Sequence, residues 1–187
     1  MVEGLSVWGL LALAASVAHA ASELTVIAPS GTYVGIINGT TPNVRQFRSI
    51  PYAEPPVGQR RWLPPVKPST NCSTVFDATV FPPSCPQFVP STPSIFNQDV
   101  PEYLIYLDDQ SVSAGTSAEE TSEDCLQLAI WAPVGEKEKL PVIVYFTGGG
   151  FTVGGINIEA QLPHRWVERT QSHIVVTTKQ VPTDQKH

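Results

Sequence analysis

The chemistry open to this chain rests on a run of glycines, a scatter of serines and four histidines. Gly148-Gly149-Gly150 closes an apolar stretch, residues 140–146, that reads as a buried strand. Glycine removes the side chain and leaves backbone N–H groups that can approach a ligand oxygen closely. In acyl transfer such donors form an oxyanion hole for the charge that develops on a carbonyl oxygen. Taken alone, the same run is also a flexible turn. Cys and His nowhere stand at metal-ligand spacing, so neither a metal nor a cofactor is expected.

Elements that would position these residues can be read around them. Residues 24–27, the turn Ala28-Pro29-Ser30-Gly31 and residues 32–37 predict an N-terminal hairpin. Residues 126–132 predict a strand, stopped by Pro133 and the charged turn 135–139. Residues 163–170 predict a helix, with Pro163 acceptable in its first turn, and residues 174–178 a further short strand. Strand, helix, strand in this order belongs to an α/β sheet. The 18 prolines concentrate between Pro42 and Pro101, where Phe47, Tyr52, Trp62, Phe76 and Phe81 interleave with them. That pattern predicts an ordered, loop-rich surface segment rather than a solvated linker.

Residues 1–20 combine a short apolar run with the exit Ala18-His19-Ala20, the pattern of a secretory signal cleaved after Ala20, although Glu3 stands where a positive charge is usual. No later apolar run is long enough to span a bilayer, which predicts a secreted, soluble mature chain. A formal net charge of −6 without a Lys/Arg cluster argues against nucleic acid or anionic membrane as partners. Asn38-Gly39-Thr40 and Asn71-Cys72-Ser73 are sequons that make Asn38 and Asn71 candidate glycosylation sites. Three cysteines allow one disulfide with one thiol left over, and all three pairings are open on the residues alone.

Four segments, in order, resemble the type-B carboxylesterases, the family of cholinesterases and fungal lipases: residues 47–58 (Phe-Arg-Ser-Ile-Pro-Tyr-Ala-Glu-Pro-Pro-Val-Gly), 122–128 (Ser-Glu-Asp-Cys-Leu-Gln-Leu), 145–155 (Tyr-Phe-Thr-Gly-Gly-Gly-Phe, then Val-Gly-Gly at its end) and 173–177 (His-Ile-Val-Val-Thr). The resemblance covers roughly residues 22–178. It implies an incomplete α/β-hydrolase sheet with an N-terminal β-hairpin and a Pro-rich, disulfide-closed loop region. The domains it implies are a signal peptide (1–20), the N-terminal part of a catalytic domain (21–178) and an unmatched polar tail (179–187). It further implies a Cys85–Cys125 disulfide with Cys72 free, an Arg61–Glu123 ion pair, and Gly149 and Gly150 as oxyanion-hole donors. No tryptophan lies between Cys85 and Cys125, so the choline-binding indole of the cholinesterases has no counterpart.

Ester hydrolysis on this fold needs a serine on a Gly-x-Ser-x-Gly elbow, a histidine base and an orienting acid, arriving after the glycine loop. The sequence contains no such elbow; Ser113 and Ser117 sit in incomplete versions that precede the loop. His19, His164, His173 and His187 all come far earlier than the family's catalytic histidine. The resemblance thus implies a truncated, inactive N-terminal part of a secreted carboxylic-ester hydrolase. An alternative is a short, non-catalytic secreted protein that binds an apolar ligand or a partner. The residues fix neither substrate preference nor oligomeric state.

Overall fold

The computed structural model describes residues 24–69, 71, 73–86, 121–135, 139–148 and 154–178. Within them lie eight strands and one α-helix: β1 (Thr25–Ala28), β2 (Gly31–Val34), β3 (Ile36–Asn38), β4 (Thr41–Pro51), β5 (Val75–Asp77), β6 (Gln127–Pro133), β7 (Val142–Phe146), α1 (His164–Thr170) and β8 (Ile174–Thr178). A three-stranded sheet runs β1-β2-β5 and a five-stranded sheet runs β3-β4-β6-β8-β7. In the larger sheet only β7 and β8 are parallel neighbours; every other pair is antiparallel.

The expected N-terminal hairpin exists as β1 and β2, but residues 36–37 do not prolong it. The chain leaves the small sheet at Gly35 and enters the large one as β3. A Cβ at Gly35 would stand 2.6 Å from the Gln46 carbonyl oxygen and 2.7 Å from the Phe47 ring, so only glycine lets the two sheets meet this closely.

The Pro-rich segment also departs from expectation. It contains β4, the longest strand among the described residues, which lies between β3 and β6 instead of in a surface loop. Its prolines fall where they do least harm. Pro42 precedes the start of pairing with β6 at Val44, and Pro51 is the last residue of the strand. The rest of the segment is closer to expectation. Glu54 accepts from the Ser69 N–H (2.8 Å) and pairs with Arg60 (3.3 Å), folding residues 54–69 back on themselves.

Side chains alternate across the pleat, and the two faces of the large sheet are covered differently. Val44, Ala129, Trp131 and Val175 on one face are buried with Ile156 and with Val167 of α1. Glu168 locks the helix to β4 by accepting from the Asn43 N–H (3.0 Å) and the Asn43 side chain (2.7 Å). On the other face Phe47 and Ile130 pack with Tyr33, Phe76 and Ala78 of the small sheet and its exit. That cover stops short of β7.

The sequence predicts a buried strand at β7, and the structure corrects this. Val142, Val144 and Phe146 share one face and expose 56%, 51% and 63% of their surface. Among the described residues only one edge of β7 is paired, with β8, and no other element caps its outer face. Parallel strands are ordinarily covered on both faces, so the apolar composition of β7 is written for neighbours beyond these elements.

Candidate active site

In α/β sheets ligands bind beyond the carboxyl ends of parallel strands. β7 and β8 run side by side with Phe146 opposite Thr178, so both strands end at the same level. Thr147 Oγ1 donates to the Thr178 carbonyl (3.4 Å) and ties the two exits together. The chain then passes through Gly148, beside which a Cβ would meet nothing within 4 Å. Gly149 and Gly150, the donors implied by the resemblance, lie outside the described residues.

What is described is the anchoring on either side of that loop. The chain returns at Gly154 with φ 129°, a backbone conformation that disfavours side chains. Ile156 and Ile158 follow as buried residues, Ile156 packing into the Trp131 core. The Tyr145 hydroxyl donates to Gln161 Oε1 (3.1 Å), joining β7 to the return segment. The chain is thus tied before the loop by the Thr147–Thr178 hydrogen bond and after it by the buried Ile156, and electrostatic stabilisation of an oxyanion requires donors held at a fixed position.

No described histidine can serve as a base at this place. His173 immediately precedes β8, about 16 Å from its far end at the usual rise per residue. Its Nδ1 faces the hydroxyls of Thr170 (3.2 Å) and Ser172 (3.3 Å), and its ring leans on Trp166 at 4.3 Å. His164 is buried in the first turn of α1. Ser113 and Ser117 lie outside the described residues. Two buried hydroxyls, Thr177 Oγ1 and Thr178 Oγ1, have no hydrogen-bond partner; they stand on opposite faces of β8 and form no joint site.

Cys85 and Cys125 are bridged, with Cα atoms 5.1 Å apart, and both are buried. Beside them Ser84 and Thr121 form an isolated parallel bridge, and the Ser122 N–H donates to the Ser84 carbonyl (2.8 Å). The enclosed stretch 87–120 and Cys72 lie outside the described residues. Arg61 Nη2 pairs with Glu123 Oε1, joining the Pro-rich segment to the end of the disulfide loop, with side-chain exposures of 51% and 41%. Asn38 is the last residue of β3 and Asn71 accepts from the Ser73 N–H ahead of β5; neither belongs to β7, β8 or the segment between them.

One structural residue was not singled out from the sequence. Arg48 donates to Gln46 Oε1 (2.9 and 3.1 Å) and to the Thr79 carbonyl (3.3 Å), and lies 4.9 Å over the Phe81 ring. It fastens β4 to the strand-exit loop at 78–81. In the same loop the Thr79 hydroxyl, then its N–H, hold the Asp77 carboxyl below the usual carboxylate range. Burial raises the Tyr52 phenol above its ordinary value.

A mixed sheet whose parallel pair delivers an anchored glycine loop, with a disulfide-closed segment before it, defines the class: an incomplete α/β-hydrolase fold. Residues 22–179 match the carboxylesterase family. A chlorogenic acid esterase from Aspergillus niger is 42% identical over 158 residues, which cover 82% of this chain and 28% of that protein. Secreted lipase 5 from Gibberella zeae is 36% identical over 167 residues, covering 83% and 29% respectively. Among solved structures a thermophilic pNB esterase superposes with a TM-score of 0.64 at 29% identity, covering 84% of this chain and 28% of its own. The chain belongs to the carboxylesterase family, and it spans less than a third of the length of these relatives.

Proposed function

We propose that this chain is the N-terminal part of a secreted carboxylic-ester hydrolase, carrying the oxyanion loop and the first sheet strands but not the catalytic triad. Residues 1–20 direct secretion and are cleaved after Ala20; residues 21–178 supply the scaffold; residues 179–187 add a polar tail. Gly149 and Gly150 donate backbone N–H groups to the oxyanion. The nucleophile, the acid and the histidine belong to chain that would follow the β8 position, and without them these residues do not turn over esters. Relatives named as a chlorogenic acid esterase and secreted lipases support carboxylic esters as the substrate class and secretion as the destination.

The observation that carries this reading is the β7–β8 pair, whose shared exit feeds a glycine loop anchored at Thr147 and at Ile156. A second reading, a short secreted protein that binds an apolar partner, draws on the exposed face of β7. Sequencing the transcript beyond the Thr178 codon separates them. A downstream Gly-x-Ser-x-Gly in any frame is the expected result. A clean stop in abundant mature message would favour the binding protein.

A further inference from the structure

We propose that the Arg61–Trp62 peptide bond is a processing site for an endoprotease that reads paired basic residues, and that Glu123 guards it. The proposal rests on the secretory reading above, because proteases of this specificity act along the secretory route.

Arg60-Arg61 is the only pair of adjacent basic residues in the chain. It lies in an open stretch: residues 57–67 are exposed without a break, the longest such run among the described residues. Neither a strand nor an α-helix includes these positions. A single 3-10 turn, Gly58–Arg60, leads into a second turn in which the Leu63 N–H donates to the Arg60 carbonyl (3.1 Å). The other backbone bonds here are equally local. The Arg60 N–H donates to the Val57 carbonyl (3.0 Å) and the Arg61 N–H to the Gly58 carbonyl (3.2 Å), while at the base the Glu54 N–H donates to the Val66 carbonyl (2.8 Å). An endoprotease must draw the chain around the scissile bond into an extended strand, and an exposed loop held by short-range bonds opens at low cost. Single arginines elsewhere are placed differently: Arg45 and Arg48 belong to β4, Arg165 and Arg169 to α1.

Backbone strain points to the same bond. Arg61 has φ −60° and ψ 131° and Trp62 has φ 67°, a type II turn with tryptophan where glycine is favoured. A bulky side chain at positive φ is an outlier. In the cut, water adds across the bond: its hydroxyl goes to the Arg61 carbonyl carbon, the C–N bond breaks, and the Trp62 nitrogen takes the proton. Trp62 then heads a chain with no preceding carbonyl, and its strained φ is no longer imposed. Both recognition side chains are engaged, Arg60 with Glu54 (3.3 Å) and Arg61 with Glu123, yet the two arginines keep 50% and 51% of their side-chain surface exposed. Ion pairs this exposed are weak, so a protease pocket that offers its own carboxylates displaces them. Strands β1 to β4 precede the cut and stay joined to the rest through the β2–β5 and β4–β6 pairs, so the product is a two-chain molecule.

The test is digestion of the purified chain with a calcium-dependent serine endoprotease specific for paired basic residues, beside a synthetic peptide of residues 55–67. The expected result is one cut, with a new N terminus at Trp62-Leu63-Pro64 by mass spectrometry. The two pieces co-elute in gel filtration and separate in denaturant without reductant, since both bridged cysteines follow the cut. Arg61→Gln abolishes the cut, Arg60→Lys keeps it, and Glu123→Gln speeds it by up to about fivefold. A peptide that resists, or a folded chain left intact under conditions that cut the peptide, overturns the proposal; an unchanged rate in Glu123→Gln overturns the guarding role. Cells that secrete the chain should release it already cut at Trp62, and secretion of the intact chain also overturns the proposal. A chain that never leaves the cytosol overturns the secretory reading instead, and digestion of the purified chain still decides whether the bond is open to cleavage.

Discussion

Replacing both members of the Cys85–Cys125 bridge by alanine should destabilise the chain chiefly through its unfolded state. The bridge joins positions 40 residues apart in sequence. Loop closure of that length corresponds to about 4 kcal/mol of denatured-state entropy in the chain-entropy model, an upper figure in practice. For a domain of this size that translates into a fall in Tm of about 8–16 °C. Alanine is the appropriate replacement because both positions are buried and a hydroxyl there would need a partner. Equilibrium urea unfolding distinguishes the mechanism. A mere packing loss lowers the midpoint at constant slope, whereas releasing the cross-link also steepens the slope, because the freed denatured chain exposes more surface. A loss below about 1 kcal/mol with an unchanged slope would refute the reasoning. It would mean that the denatured chain already keeps the two loop ends near each other without the bridge.

The Arg61–Glu123 pair is half exposed on both sides, so a double-mutant cycle with alanine should give a coupling below about 1 kcal/mol; a value several times larger would mean that the pair is shielded from water. The open edge and bare face of β7 should make the chain self-associate, and Val144→Lys should suppress this in sedimentation velocity. A monomeric wild-type chain whose β7 amides resist exchange would show that the edge is covered. Because the Thr79 hydroxyl and N–H lower the Asp77 pKa, the native chain binds fewer protons there than the unfolded chain in the acid range. The corresponding stability is present above the unfolded carboxylate pKa and is lost as pH falls through the lowered value. An NMR titration should place Asp77 below an ordinary aspartate, and Thr79→Val should move it back up; an unmoved titration would rule out the hydroxyl as the cause.

Local signals that agree with the tertiary environment were legible from the residues. Residues 174–178 form a strand, residues 164–170 a helix opened by Pro163, and residues 127–133 a strand between two partners. The β4 strand was hidden because its composition, Pro at both ends with Asn43 and Arg48 between, signals loop; its alternation of Val44 and Gln46 against Arg45 and Phe47 makes sense only once sheets on two sides are known. Gly35 as the point where the chain changes sheets was equally invisible, since the contact that demands glycine comes from residues 46 and 47 of the next strand. β7 failed in the opposite direction. Five apolar residues encode a buried strand, and burial is a property of the neighbours, which the described residues supply on one edge and one face only. For the candidate site, the glycine run pointed to the strand exit, while the Thr147–Thr178 and Tyr145–Gln161 ties that hold the loop came only with the three-dimensional arrangement.

The central claim, that these residues hold an oxyanion loop without the group that attacks the ester, is tested most directly by exposing the purified chain to a fluorophosphonate probe and to an activated short-chain ester. Oxyanion donors stabilise charge that appears only after a nucleophile has attacked, so alone they leave the difficult step without its attacking group. The account predicts no saturable turnover and no adduct by intact mass. Saturable turnover together with labelling of Ser113 or Ser117 would contradict it, because a nucleophile would then lie inside the disulfide loop itself.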